Sequence, residues 1–400
     1  MRPERILLVT HEFPPVAGGI GTHCYEMAKH WASSATVTVA TLATEAPRAP
    51  AEFPFSVVEI SCPRGQGRRV WELARGLRRL VAASRPDLVY SGHWRATGVA
   101  VRLALAAVRR KPEYAQAVHG SEVLYLLQPD VPRGHGPLFR WTTSRAKRLI
   151  ALGSYQGEIL TRLGVERDRV LVSPEGVDVE RFERVDERAL ASLRERHRLD
   201  GRFVILTVGR LVERKGQDTV LRALPGLTRS LPEVLYLVVG EGPYEGHLRS
   251  LARELGVEDS VIFCGRVPED ELVAYYHSCD VFVMMSRELP DDTEGFGIAF
   301  LEAAACGKPA IGGLSGGVPD AVVDGHTGIL IEPTAVDRLI EVIVGLEREP
   351  ALAGRLGEAG RRRVYGSYLY RDIAASILDG ITAERPWSHS RGVHSGAQRR

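Results

Sequence analysis

Short apolar runs closed by glycine, proline or polar turns alternate along this chain with longer amphipathic stretches, and no other feature constrains the fold as tightly. In the first half, residues 6–10, 36–40, 56–60, 88–90, 115–118, 148–152 and 170–173 read as strands, with helical patterns such as 21–32, 70–84 and 96–109 between them. Parallel strands need such crossovers, because a tight hairpin joins only antiparallel neighbours. The alternation therefore predicts an α/β protein whose parallel sheet is wrapped by helices. A charged passage at 178–200 interrupts the pattern, which restarts with 203–208, 235–239, 261–264, 281–284, 309–311 and 328–331. The expectation is two Rossmann-like domains, over residues 1–180 and 198–360, facing each other across a cleft. Ligands in such sheets sit beyond the carboxyl ends of the strands, which would put a shared site in that cleft. A last helical stretch at 361–383 is expected to complete the first domain, and the polar tail at 386–400 to stay disordered.

With 400 residues, 44% of them hydrophobic, the chain can fill two cores. Its net charge of +2 gives no global reason to expect a nucleic-acid partner. Cys24, Cys62, Cys264, Cys279 and Cys306 are an odd, scattered set without a CxxC pair, which fits reduced, buried thiols better than disulfides or a zinc site. The apolar run at 6–9 is too short for a signal-peptide core and nothing approaches a transmembrane span. The expected location is the cytosol, with peripheral attachment to the inner face of the cell membrane as the route to lipid.

Three segments look built for an anion. After the first strand, Gly18-Gly19-Ile20-Gly21 opens a helix, so backbone N–H groups and the helix dipole can approach a phosphate; a tight strand-to-helix turn is the plainer account. Cys24 stands where a dinucleotide fingerprint needs its third Gly or Ala, which weakens a dehydrogenase reading. In the second half, Gly209-Arg210-Leu211-Val212-Glu213-Arg214-Lys215-Gly216 follows a strand directly, and Arg210 and Lys215 could converge on one pyrophosphate, a solvated basic loop being the alternative. Last comes Glu294-Gly295-Phe296-Gly297-Ile298, whose glycines suit a loop that bares its N–H groups before a buried helix. Glu302 falls in the first turns of that helix, placed for the hydroxyls of a ribose or simply for the helix dipole.

Together these pieces resemble glycosyltransferase family 4, the retaining enzymes of the GT-B fold, over most of the chain up to about residue 381. The resemblance implies that Arg210 and Lys215 hold the diphosphate of a nucleotide-sugar donor, Glu302 its ribose and Glu294 the transferred sugar, with Gly18, Gly19, Gly295, Phe296, Gly297 and Ile298 lining the donor site. Val118-His119-Gly120-Ser121-Glu122 also matches, and implies that His119 lies beside the anomeric centre; by itself His119 reads equally as a structural histidine. Glu175 departs from the Asn or Pro usual in Pro174-Glu175-Gly176-Val177-Asp178, and its contribution is left open. Finer wording, including Leu314-Ser315-Gly316-Gly317-Val318-Pro319-Asp320, is similar to the branch of actinobacterial mannosyltransferases that act on phosphatidylinositol mannosides and use GDP-mannose; relatives with UDP-glucose or UDP-N-acetylglucosamine share these words.

The implied reaction is hexosyl transfer to a hydroxyl of a glycolipid, cyclitol or sugar. Arg210, Lys215 and loop amides would stabilise the departing diphosphate, with neither metal nor cofactor required. Asp291-Asp292 reads as a charged loop lip. Arg64, Arg68, Arg69, Arg75, Arg78 and Arg79, set among Trp71, Leu73, Leu77 and Leu80, form a basic amphipathic stretch over 64–81 that suits either an anionic membrane surface or a solvated helix face. A nucleotide-sugar epimerase, which needs no acceptor, and a catalytically silent binder of nucleotide-sugars or glycans are the rival readings.

Overall fold

The computed structural model describes residues 2–14, 18–43, 53–61 and 66–384. Cys62, Arg64 and the tail at 386–400 lie outside the described residues. The chain divides into two compact units: one runs to Glu175 and resumes at Tyr370, the other spans Gly176 to Leu369.

In the first unit β1 (Arg5–Val9), β2 (Thr36–Leu42), β3 (Ser56–Ile60), β4 (Leu88–Ser91), β5 (Glu113–Val118), β6 (Arg148–Ala151) and β7 (Val170–Val172) form one sheet in the order β3-β2-β1-β4-β5-β6-β7. All of its pairings are parallel. Leu7 and Val9 enter one apolar core while Ile6 and Leu8 enter another on the opposite face, which is why the strand reads as an unbroken apolar run rather than an alternation. The second unit holds β8 (Phe203–Val208), β9 (Val234–Val239), β10 (Val261–Gly265), β11 (Val281–Met284), β12 (Ala310–Gly313) and β13 (Ile329–Ile331), parallel throughout in the order β10-β9-β8-β11-β12-β13. In each sheet the strand order reverses once, beside β1 and β4 in the first and beside β8 and β11 in the second. At a reversal the helices that follow the two strands pass to opposite faces of the sheet, which opens a crevice at the strands' carboxyl ends.

The helical stretch expected at 361–383 is two helices, Pro350–Ser367 in the second unit and Tyr370–Thr382 in the first. Tyr368 breaks it. Its hydroxyl donates to the Asp320 carbonyl, its own carbonyl accepts from Val177 N at 2.9 Å, and Val177 bridges Leu369, so the backbone there leaves the helical path. The second helix then packs on the helix Gly19–Trp31, where Trp31 donates to the Ala374 carbonyl at 2.8 Å.

The helix Gln66–Ser84 turns Leu73 and Leu77 into the core, leaving Arg68, Arg69, Arg75, Arg78 and Arg79 outward with Trp71, which is 59% exposed. Those two leucines are therefore not free to enter a bilayer. No helix among the described residues is long and apolar enough to cross a membrane.

Candidate active site

The loops after β8 and β11 meet at the reversal point of the second sheet. From the first, a short turn Glu213–Lys215 ends at Gly216, whose φ of 68° only glycine adopts freely and whose missing Cβ would lie 2.0 Å from the Met285 carbonyl. That close approach presses the two loops together. Glu294, 6% exposed, is the hub. Its Oε2 accepts from Lys215 Nζ at 2.6 Å, from Arg214 at 2.7 Å and from Ser286 Oγ at 3.2 Å. Arg214 also donates to Asp292 at 2.9 Å, and Arg287 pairs with Asp218 while donating to the Glu213 carbonyl. Burial drives the Glu294 carboxyl up, but the charges and hydrogen bonds of Lys215 and Arg214 outweigh it and hold the group at about 2, so it is ionised. Burial also lowers the pKa of Lys215, with Glu294 opposing.

Arg214 and Lys215 are balanced by Asp292 and Glu294, and Arg287 by Asp218, so the cluster is neutral overall. Lys215 still has capacity: of its three ammonium protons one goes to Glu294 and one toward the Met284 sulfur at 3.4 Å, leaving the third. Arg210 is exposed and makes no ion pair among the described residues, so it is the uncompensated cation of the loop. Among the described residues Glu294 Oε1 takes no hydrogen bond, which leaves it for a ligand hydroxyl.

Downstream, Gly297 (φ 95°) precedes the helix Ile298–Ala305. Phe296 is 3% exposed and packs against Tyr368, so its side chain belongs to the core, and only its backbone can face a donor. Ile298 is half-buried. Glu302 sits one turn further, receives a hydrogen bond from the Tyr276 hydroxyl, and has its pKa raised by burial. The segment around Gly317 clamps this loop: Gly317 N donates to the Glu294 carbonyl at 2.8 Å, and a Cβ on Gly317 would stand 1.9 Å from the Gly295 carbonyl oxygen. Gly317→Ala is therefore expected to lose about 1–3 kcal/mol of stability in urea unfolding, as overpacked sites do.

In the first unit Gly18 starts the helix Gly19–Trp31, which has no acid in its first turn, although the Glu12 carboxylate lies where a Gly18 Cβ would be. His119 follows β5. Its Nε2 lies 2.8 Å from the Gly92 carbonyl, which fixes that nitrogen as the donor, and its backbone N donates to Glu122 Oε1 at 2.6 Å. Burial lowers the His119 pKa, so the ring is neutral near neutral pH. Glu122 faces His93 at 2.7 Å, and His11 stacks edge-on against His93, its own pKa brought down to about 4 chiefly by burial. Glu175 is buried against His23, 3.1 Å from Nδ1, and His23 Nε2 meets the Tyr90 hydroxyl at 2.8 Å. The departure from Asn or Pro at this position thus comes with a buried histidine to receive it.

Residues 17–181 match the model of Glycosyltransferase Family 4 and residues 191–363 that of Glycosyl transferases group 1. The chain is 34% identical, across 95% of its length and 99% of the relative's, to a Mycobacterium tuberculosis GDP-mannose-dependent alpha-(1-6)-phosphatidylinositol monomannoside mannosyltransferase. The chain belongs to glycosyltransferase family 4. It is also 29% identical, over 98% of its length and 90% of the relative's, to a Streptomyces avermitilis D-inositol 3-phosphate glycosyltransferase. Anabaena HepE in complex with UDP-glucose shares the fold, with a TM-score of 0.77 at 20% identity over 94% of this chain and 98% of that one.

The family 4 enzyme thus has a GT-B fold of two Rossmann-like domains and transfers a hexosyl group. The sequence motifs placed Lys215, Glu294 and the Gly297 turn in one cluster, but did not assign Arg214, which holds Glu294 where Arg210 does not. Asp292, expected as a loop lip, is the second counter-charge for Arg214. Ser286 and Tyr276 were not singled out either: Ser286 lies in the loop just after β11 and Tyr276 in the last turn of the helix Glu269–Ser278, so neither falls in a glycine-marked segment.

Proposed function

We propose that this family 4 enzyme transfers mannose from GDP-mannose, with retention, to a hydroxyl of an inositol-containing acceptor. The observation that carries this reading is the 34% identity over nearly the whole of a relative named for that donor and for a phosphatidylinositol mannoside acceptor. The site chemistry supports it. Arg210, the third Lys215 proton and the amides before the helix Ile298–Ala305 would take the diphosphate, whose negative charge grows as the anomeric bond breaks. Glu294 Oε1 would take a sugar hydroxyl, and Glu302, oriented by Tyr276, the ribose. With both carboxylates engaged in binding, and Glu294 ionised and locked to two cations, neither acts as a glycosidase-like nucleophile or acid. The leaving phosphate then takes the acceptor's proton in a front-face attack, and the neutral His119 ring positions the donor rather than exchanging protons. No metal ion is needed in this account.

The likeness to an inositol phosphate glycosyltransferase favours a second acceptor, a soluble cyclitol phosphate. The lipid acceptor gains support from the outward arginines and Trp71 of the helix Gln66–Ser84, which suit peripheral contact with an anionic inner membrane face. Thermal-shift titration with GDP-mannose, UDP-glucose and UDP-N-acetylglucosamine tests the donor. Selective stabilisation by GDP-mannose is expected, followed by nucleotide release only when acceptor is added. Stabilisation by a uridine donor alone would overturn the mannosyl assignment, and release without acceptor would overturn transfer to a hydroxyl.

A further inference from the structure

The first unit carries a second cationic feature that the transfer reaction does not use. Between the carboxyl ends of the helices Gln66–Ser84 and Val99–Ala106 lies a cavity of about 440 Å³, lined by Arg78, Arg85, Arg109 and Arg110 over an apolar floor that includes Val81 and Val108. It sits where β4 and β5 begin, at the sheet edge opposite the carboxyl ends that present His119. Among the described residues none of the four guanidinium groups pairs with a carboxylate. The acids closest in sequence are already engaged, Asp87 with Arg5 at 3.0 Å and Glu113 with Lys147 at 2.6 Å. Helix carboxyl ends favour cations, which accounts for one arginine at each end but not for four around one concavity. Arg85 adds an independent sign. It occupies the position after the helix in a left-handed conformation, φ 46°, where glycine is the unstrained choice. An arginine there costs backbone strain and places a further positive charge in a positive cavity.

We propose that this groove binds a phosphate-bearing anion, through guanidinium forks on the phosphoryl oxygens and with the apolar floor taking the attached carbon chain. The phosphate can come from a lipid headgroup at a bilayer surface or from a soluble phosphate ester. All of the groove's lining residues belong to the first unit and none to the donor loops, so the proposal stands or falls independently of the donor's identity.

The test compares the full-length protein with the variant Arg85→Gly/Arg109→Ser/Arg110→Ser, and with a charge-matched control, Arg188→Ser/Arg249→Ser/Arg338→Ser, all exposed residues of the second unit. Arg85→Gly relieves the left-handed strain, so the groove variant is expected to unfold at the same or higher denaturant concentration than the parent. In equilibrium dialysis with radiolabelled inorganic phosphate at low ionic strength, parent and control are expected to bind one equivalent more than the groove variant. In co-sedimentation with phosphatidylglycerol and phosphatidylcholine vesicles, the groove variant is expected to partition about tenfold less than the control. Loss in the vesicle arm alone identifies the lipid source, and loss in the phosphate arm a soluble ester. Equal behaviour of the groove variant and the control in both arms would overturn the proposal.

Discussion

Hexosyl transfer by a Lys215→Ala variant is expected to fall by about 10²–10³-fold, the cost typical of removing one preorganised donor from developing negative charge. The site explains why such a large loss need not bring unfolding. Glu294, the partner left behind, still accepts from Arg214 and Ser286, so its buried charge keeps a counter-ion and a second hydrogen bond. What disappears is the ammonium proton not used by Glu294 or Met284, and with it a charge proposed to meet the departing diphosphate. Lys215→Arg should rescue little, because a planar fork cannot fill the slot of a compact ammonium that is 9% exposed. Single-turnover transfer rates, measured beside urea unfolding midpoints, check both parts. Near-normal turnover in the alanine variant would remove Lys215 from the mechanism.

How far the sequence alone could see follows from what each residue depends on. The parallel sheets were legible because burial on both faces forces unbroken runs such as Phe203–Val208, and a periodic amphipathic stretch must lie between consecutive strands. Lys215 and Glu294 were legible because each sits in a loop whose glycines mark unusual backbone. The partner of Glu294 was not. Arg210 and Arg214 are the same residue type in the same loop, and only the turn Glu213–Lys215 decides that Arg214 points inward while Arg210 stays in solvent. Nor does sequence show that Phe296, between two glycines, belongs to the core: its place depends on Tyr368, from the far end of the unit. Glu175 was visible as a departure from a pattern, yet its partner, His23, lies 152 residues earlier and is brought to it by the return of the chain to β7. Local patterns specify which backbone a loop adopts; long-range pairing specifies which side chains it buries together.

That pairing can be measured at Glu294. Glu294→Gln is expected to cost about 3–5 kcal/mol of stability at neutral pH, because removal of one charge from a buried ion pair leaves Lys215 uncompensated, Arg214 alone keeping a partner in Asp292. The pH dependence separates this cause from a packing defect. The carboxyl's pKa falls from an ordinary 4.5 to about 2 on folding, so its contribution is fully present above about pH 4.5 and is lost as pH falls through 2. That shift corresponds to about 3 kcal/mol. The stability gap between the parent and Glu294→Gln should therefore narrow between those limits. A gap as wide at about pH 3 as at about pH 7 would show that the ion pair does not hold the loops. The variant also tests why the enzyme buries a negative charge beside Lys215, a cation proposed to meet the diphosphate. Without the charge of Glu294, Lys215 would attract the ground-state diphosphate more strongly, so donor affinity should rise while transfer slows. The counter-charge would then serve to reserve Lys215 for the charge that develops as the sugar leaves.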